Sequence, residues 1–193
     1  HEKVNIVGHD WGAMVAWWTA LRHPERLEKL AILNVPHPKV FAKTLNSKPI
    51  QMLRSTYAMF FQLPALPEAL WGLGGYKFAA DMMPRTANAG SFSAEDMIKY
   101  REAWRKPGAM TAMLNWYRAY VRVPPPPPTT ARISVPTLMI WGAKDPFLDR
   151  SMAQPSIDLC DNGELVMVDD ATHWVQHDQP TLVNEKLIAY LCE

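Results

Sequence analysis

The apolar residues of this chain fall into runs whose spacing changes along its length. Val4-Asn5-Ile6-Val7 is a short β-branched run closed by Gly8, which predicts a buried strand over Val4–Gly8. An apolar helical stretch from Met14 to Leu21 is halted by Pro24, which predicts a helix over Trp11–His23. Lys29–Val35 is a second apolar strand, bounded by Pro36. Strand, helix and strand in so short a span make a right-handed βαβ unit and therefore parallel pairing.

From His37 to about Pro128 the pattern becomes helical and is punctuated by Pro and Gly. Ser47 with Pro49 opens a helix that runs to about Leu63. Leu66–Pro84 is broken by Gly72, Gly74 and Gly75 into two short helices. Ser93-Ala94-Glu95-Asp96 resembles a capping box, with Asp at its last position, and opens a helix that stops at Pro107-Gly108. Ala109–Val121 forms another helix, and Pro124–Pro128 a stiff extended connector. Then the α/β pattern returns: a strand at Pro136–Gly142, a helix at Asp149–Leu159, a strand at Glu164–Val168 and a closing amphipathic helix at Pro180–Leu191. The expected fold class is α/β, with a parallel-sheet core in two segments, 1–36 and 129–193, and an inserted helical lid domain over 37–128.

Composition narrows the function classes. The 193 residues are 48% hydrophobic and 20% charged with a formal net charge of +1, so no basic stripe points to nucleic acid. Eight Trp and eleven Met fit a core and also an apolar substrate cavity. Cys160 and Cys192 form neither a metal spacing nor a disulfide framework, and both are expected as reduced thiols. No apolar run reaches the roughly 18 residues a membrane span needs. We expect a cytoplasmic protein with no metal and no cofactor.

The chemistry concentrates at Gly8-His9-Asp10-Trp11-Gly12-Ala13, between the first strand and the first helix. This segment resembles the nucleophile elbow of α/β-hydrolases, in which small residues let the backbone double back and the central side chain projects from the turn. Esterases carry Ser there. A carboxylate at Asp10 needs no base and can displace a leaving group from a saturated carbon to form an ester. Asp10 taken alone is also a reasonable helix N-cap. Two further candidates sit at strand ends, where open parallel sheets place their functional groups: Asp145 in Gly-Ala-Lys-Asp-Pro and His173 in Asp-Asp-Ala-Thr-His-Trp. Asp145 before Pro146 is also an ordinary turn residue. The order nucleophile, Asp, His matches the α/β-hydrolase order. His9, His23 and His177 lack that placement and read as structural or surface residues.

Over nearly its whole length the chain resembles the α/β-hydrolase-fold epoxide hydrolases. Residues 8–13 are similar to that family's nucleophile motif, Trp141-Gly142-Ala143-Lys144-Asp145 to the segment with the orienting acid, and His173-Trp174 to the segment with the water-activating base. The stretch Gln176-His177-Asp178-Gln179-Pro180 also looks familial. Tyr57, in Ser55–Gln62, resembles the family's first lid tyrosine, and Tyr117, in Asn115-Trp116-Tyr117-Arg118, its second. The resemblance implies water addition to a small apolar epoxide through an ester on Asp10. The two phenols, with ordinary pKa near 10, would donate to the developing alkoxide. The Trp11 backbone N–H would form one half of the oxyanion hole.

Two readings compete. Haloalkane dehalogenases share the elbow and the Asp-His-Asp logic, and the tyrosine pair separates them from epoxide hydrolases; fluoroacetate-type dehalogenases favour Arg where Trp11 stands. The other is an inactive fragment or interaction module. The chain reaches a strand within its first four residues, so we expect it to be the C-terminal part of a longer protein. It would then lack the His-Gly-x-Pro type loop with the second oxyanion donor, be poorly active alone, and be able to self-associate through an exposed sheet edge.

Overall fold

Strand β1 (Val4–His9) runs into helix α1 (Trp11–Arg22), and β2 (Leu27–Leu33) returns beside it, with Val4 opposite Leu27 and His9 opposite Leu33. This computed structural model describes residues 2–192. The chain then forms six helices: α2 (Pro38–Ser47), α3 (Pro49–Arg54), α4 (Thr56–Phe60), α5 (Leu66–Met82), α6 (Ala94–Trp104) and α7 (Ala109–Arg122). Strand β3 (Thr137–Gly142), helix α8 (Ala153–Ile157), strand β4 (Gly163–Val168) and helices α9 (Val175–Asp178) and α10 (Pro180–Cys192) complete it. The sheet order is β1-β2-β3-β4, every neighbouring pair parallel. The α/β class and parallel sheet expected from the sequence are therefore observed.

Period-two alternation sorts the strand residues onto two faces. Leu30, Ile32, Met139 and Trp141 join one core with Ala13, Trp17 and Leu21 of α1 and with Ala153 and Ile157 of α8. Their neighbours Ala31, Leu33, Leu138 and Ile140 join a second core with Val175 of α9 and Val183 of α10. Every residue of β3 is buried, as its continuous apolar run requires for a strand covered on both sides. Because the pairing is parallel, the C-terminal ends of all four strands lie along one edge. The residues that follow them, from Asp10 to the loop after Val168, gather there.

The chain divides into two compact units, residues 1–52 with 128–193, and 53–127. The boundary expected at residue 36 falls instead after Met52, because residues 37–52 bond to the sheet unit. The His37 N–H donates to Ser156 Oγ (2.9 Å), Gln51 Nε2 donates to the Phe147 carbonyl (2.9 Å), and the Asp149 N–H donates to Gln51 Oε1 (3.0 Å). The single helix expected from Ser47 to Leu63 is likewise two helices, α3 and α4, parted at Ser55 (φ −97°, ψ 2°). Helix α2 is additional to the helices the sequence predicts; Pro38 opens it and His37 Nδ1 accepts the Lys39 N–H at 3.1 Å. Asp149–Leu159 resolves into a 3-10 turn at Arg150–Met152 followed by α8.

Within the helical unit, α5 is broken as its glycines predict: Leu73 to Tyr76 leave helical geometry and Gly74, Gly75 and Tyr76 all take positive φ. The capping box at α6 is complete, with Ser93 and Asp96 bonding each other's backbone N–H groups. Phe61, Met110 and Leu114 form the buried centre of this unit, surrounded by Phe60, Trp71, Trp104 and Tyr117.

Candidate active site

Asp10 occupies the turn between β1 and α1 at φ 52°, ψ −129°, a conformation that L-residues rarely adopt and that costs on the order of 1–3 kcal/mol. Its carbonyl accepts the Ala13 and Met14 N–H groups at 3.0 and 3.1 Å, starting the helix. It stands at the N-cap position of α1, as the second reading of its sequence expects, but its side chain makes no capping bond to the helix. Gly8 makes the turn possible: a Cβ there would lie 2.6 Å from Ala13 Cα and 2.7 Å from the Gly12 carbonyl oxygen. Gly12 is different from what its motif position suggests, because a Cβ there would meet no protein atom within 4 Å. Burial raises the Asp10 pKa above its ordinary 3.8, and the Asp145 charge acts the same way. The His173 charge and a hydrogen bond from the Trp11 backbone N–H act against this.

Asp145 is buried, and both of its carboxylate oxygens are occupied. Oδ1 accepts the N–H groups of Phe147 (2.8 Å) and Leu148 (2.9 Å). Oδ2 accepts from Asn34 Nδ2 (2.9 Å) and from His173 Nδ1 (2.7 Å). With Nδ1–H committed to a carboxylate, the other ring nitrogen of His173 is left to act as base. Burial pushes the His173 pKa down. The charge and hydrogen bond of Asp145, together with the Asp10 charge, outweigh it and leave the value above the ordinary 6.5.

The loop that carries His173 is tied to the sheet from several sides. Lys144 N–H donates to the Ala171 carbonyl (2.9 Å), and Asp178 Oδ2 accepts both the Thr172 N–H and its hydroxyl at 2.6 Å. Gly142 is indispensable to this approach, since a Cβ there would stand 2.0 Å from the Thr172 carbonyl oxygen and 2.7 Å from that of Ala171. Asp10, Asp145 and His173 thus emerge from three strand ends of one sheet unit, and the Asp145–His173 pair is formed as expected.

Asn34 joins this group although no motif in the sequence marks it. The apolar run places it within the strand Lys29–Val35, but β2 stops at Leu33 and Asn34 turns away at φ 51°. Fully buried, it accepts the Gly142 N–H (2.9 Å) on Oδ1 and donates from Nδ2 to Asp145. Its signal was a polar residue at the end of the apolar run Ala31-Ile32-Leu33, tolerant of left-handed geometry.

In the helical unit, Tyr57 of α4 and Tyr117 of α7 are brought together, their ring centroids 5.7 Å apart and nearly perpendicular. Phe61 packs on both, at 5.5 Å from Tyr57 and 4.9 Å from Tyr117. Arg118 fastens the surrounding turns: it donates to the carbonyls of Phe61 (2.9 Å) and Leu63 (2.8 Å) and pairs with Glu68 at 2.6 Å. The hydrogen bond and charge of Arg118 hold the Glu68 carboxyl below its ordinary value. Among the described residues no group of three or more His, Cys, Asp or Glu is placed to hold a metal ion. No described helix is long and apolar enough to cross a membrane.

Residues 1–180 match the model of a family described as alpha/beta hydrolase fold. The chain is 43% identical over 190 residues to the AB hydrolase superfamily protein YfhM of Bacillus subtilis, covering 98% of this chain and 66% of that protein. It is 33% identical over 199 residues to human epoxide hydrolase 4, covering 100% of this chain and 54% of that protein. A crystal structure of an epoxide hydrolase variant from Bacillus megaterium superposes with a TM-score of 0.87 at 25% identity, covering 100% of this chain and 70% of that one. The chain belongs to the alpha/beta hydrolase fold family. The resemblance to its epoxide hydrolase members, expected from the motifs, holds along the chain, which spans between about half and two-thirds of the length of these curated relatives.

Proposed function

We propose that the protein hydrolyses epoxides to vicinal diols through an ester on Asp10. The observation that carries this reading is a carboxylate at the strained elbow, where an ester hydrolase has a hydroxyl, in the same sheet unit as a buried Asp145–His173 pair. The similarity to proteins named epoxide hydrolases supports it.

In the first half-reaction an Asp10 carboxylate oxygen attacks a ring carbon, and the C–O bond of the epoxide breaks. The departing oxygen takes a proton from a phenol of Tyr57 or Tyr117, both of which we assign to this role. An alkoxide is otherwise too poor a leaving group at neutral pH, and a positioned acid supplies about 100- to 10,000-fold. In the second half-reaction water attacks the Asp10 carbonyl carbon and loses a proton to His173. The tetrahedral oxyanion is held by the Trp11 N–H. Collapse breaks the bond to the diol oxygen, which takes the hydroxyl proton of the intermediate, and returns Asp10 as a carboxylate carrying one oxygen from water; the proton on His173 passes through water to the phenolate and restores both groups.

Charge coupling orders the steps. Esterification removes the Asp10 charge, one of the influences that raise the His173 pKa, so the base is freed once the ester exists. In the full-length protein, His173→Gln should form a covalent adduct on the Asp10 peptide when mixed with styrene oxide, seen by mass spectrometry, and Asp10→Ala should make none. An unmodified Asp10 peptide beside an active wild type would overturn the mechanism. Halide release from a bromoalkane without epoxide turnover would assign the dehalogenase chemistry instead.

A further inference from the structure

His9, the last residue of β1 and the neighbour of Asp10, has a place in the site that its sequence reading as a structural or surface histidine did not anticipate. Its Nε2 lies 2.8 Å from the carbonyl oxygen of His173, so it must donate, because a carbonyl only accepts. Its Nδ1 is then the acceptor, and Gln176 Nε2 approaches it at 3.3 Å. The His9 ring lies 4.7 Å from the His173 ring and 5.6 Å from that of Trp174.

We infer that His9 is a positioning residue for ester hydrolysis: its Nε2–H bond to the His173 backbone holds the base on Asp145, and Gln176 fixes the tautomer that makes this bond. The inference rests on the proposed two-step reaction. Residues 171–174 form a loop, and a small rotation about the His173 backbone would swing Nδ1 off Asp145. Lys144 and Asp178 bond the loop at Ala171 and Thr172. The bond from His9 reaches the base residue itself, and from the strand that carries the nucleophile. Burial and the His173 charge lower the His9 pKa to about 4, so at neutral pH His9 stays uncharged with its single proton available for this bond. Gln176 and Asp178 belong to the 176–180 stretch, and each side chain serves this loop, one through His9 and the other through Thr172.

The test uses the full-length protein with His9→Phe, which keeps a flat ring and removes both nitrogens, and His9→Gln, which offers an amide N–H. Single-turnover kinetics separate ester formation from ester hydrolysis. The proton between His173 Nδ1 and Asp145 gives a low-field NMR line that needs no substrate. In His9→Phe we expect hydrolysis to slow on the order of 10-fold, with ester formation within about 3-fold and a broadened low-field line. His9→Gln should recover part of the hydrolysis rate. The inference is overturned if His9→Phe leaves the line and the hydrolysis rate as in wild type. It is also overturned if both half-reactions fall together in His9→Phe and His9→Gln restores neither. A wild type that makes neither ester nor diol would remove the epoxide reading, while the NMR line would still report whether His9 holds His173.

Discussion

The sheet unit and the helical unit hold their candidate residues by different means. In the sheet unit, Asp145 accepts four hydrogen bonds between 2.7 and 2.9 Å, two of them from backbone N–H groups. In the helical unit, Tyr57 and Tyr117 are set by ring contacts with each other and with Phe61, over a centre of only a few buried residues, and by Arg118 bonding the turns around them. Hydrogen bonds fix both distance and direction, whereas ring contacts fix distance more than angle. The difference matches two demands of the proposed reaction: moving a proton through His173 would require one tautomer and one ring orientation, while a phenol rotating about its own axis would still donate to a nearby oxygen.

The sharpest way to break this contrast is Gly142→Ala. Its Cβ would overlap the Thr172 carbonyl oxygen, and only movement of the whole His173 loop relieves that. We expect no measurable ester hydrolysis and a loss of about 3 kcal/mol, or roughly 6–12 °C in Tm, read by thermal unfolding. A variant that hydrolyses its ester normally would show that the loop is not held as tightly as the contact implies.

In the helical unit, Tyr57→Phe and Tyr117→Phe together should slow ester formation by about 100- to 10,000-fold. Each single change should do less, because the other phenol remains. Hydrolysis of a preformed ester should be unchanged, as should Tm within a few degrees. A double variant that opens epoxides at the wild-type rate would return both residues to packing.

Asn34→Gly keeps the positive φ and removes the bonds to Asp145 and Gly142. Hydrolysis should slow by about 10- to 100-fold, from the loss of a charge-assisted bond of roughly 1.5–3 kcal/mol. Ester formation should hold near wild type, measured in the same single turnover.

The smallest effect concerns pH. The His173 pKa is raised above 6.5 in the free protein, partly by the Asp10 charge, and in the proposed reaction neutral His173 is the base. Hydrolysis therefore falls as pH drops through that value. In the ester the Asp10 charge is gone, so the midpoint of hydrolysis should lie below the His173 midpoint titrated by NMR without substrate. Equal midpoints would mean that the two groups do not communicate. Ester formation should fall at acid pH as Asp10 is protonated, with a midpoint above the ordinary 3.8.

Much of this was legible in the sequence because it is encoded over short spans. The β-branched run before Gly8, the Pro and Gly stops, the glycines inside α5 and the Ser93–Asp96 box all act through neighbours a few residues away. The elbow was legible for the same reason, since Asp10, Gly8 and Ala13 meet within one turn. Asp145 and His173 could be proposed because their place after a strand is itself local.

The partners of those residues were decided by the tertiary structure. Asn34 meets Asp145 across 111 residues of chain, and His9 meets the His173 carbonyl across 164, because parallel register brings separate strand ends to one edge. No periodicity in the chain reports such pairings. Gly142 was visible as the end of a strand, yet its need to lack a Cβ comes from a loop about thirty residues later. The unit boundary after Met52 is of the same kind, because it depends on Gln51 reaching Phe147 and Asp149 rather than on any feature of residues 37–52 themselves. Local backbone and side-chain preferences set the elements and the turn at Asp10; directional bonds between distant segments, formed only when the sheet is assembled, bring Asp145 and His173 together as a hydrogen-bonded pair.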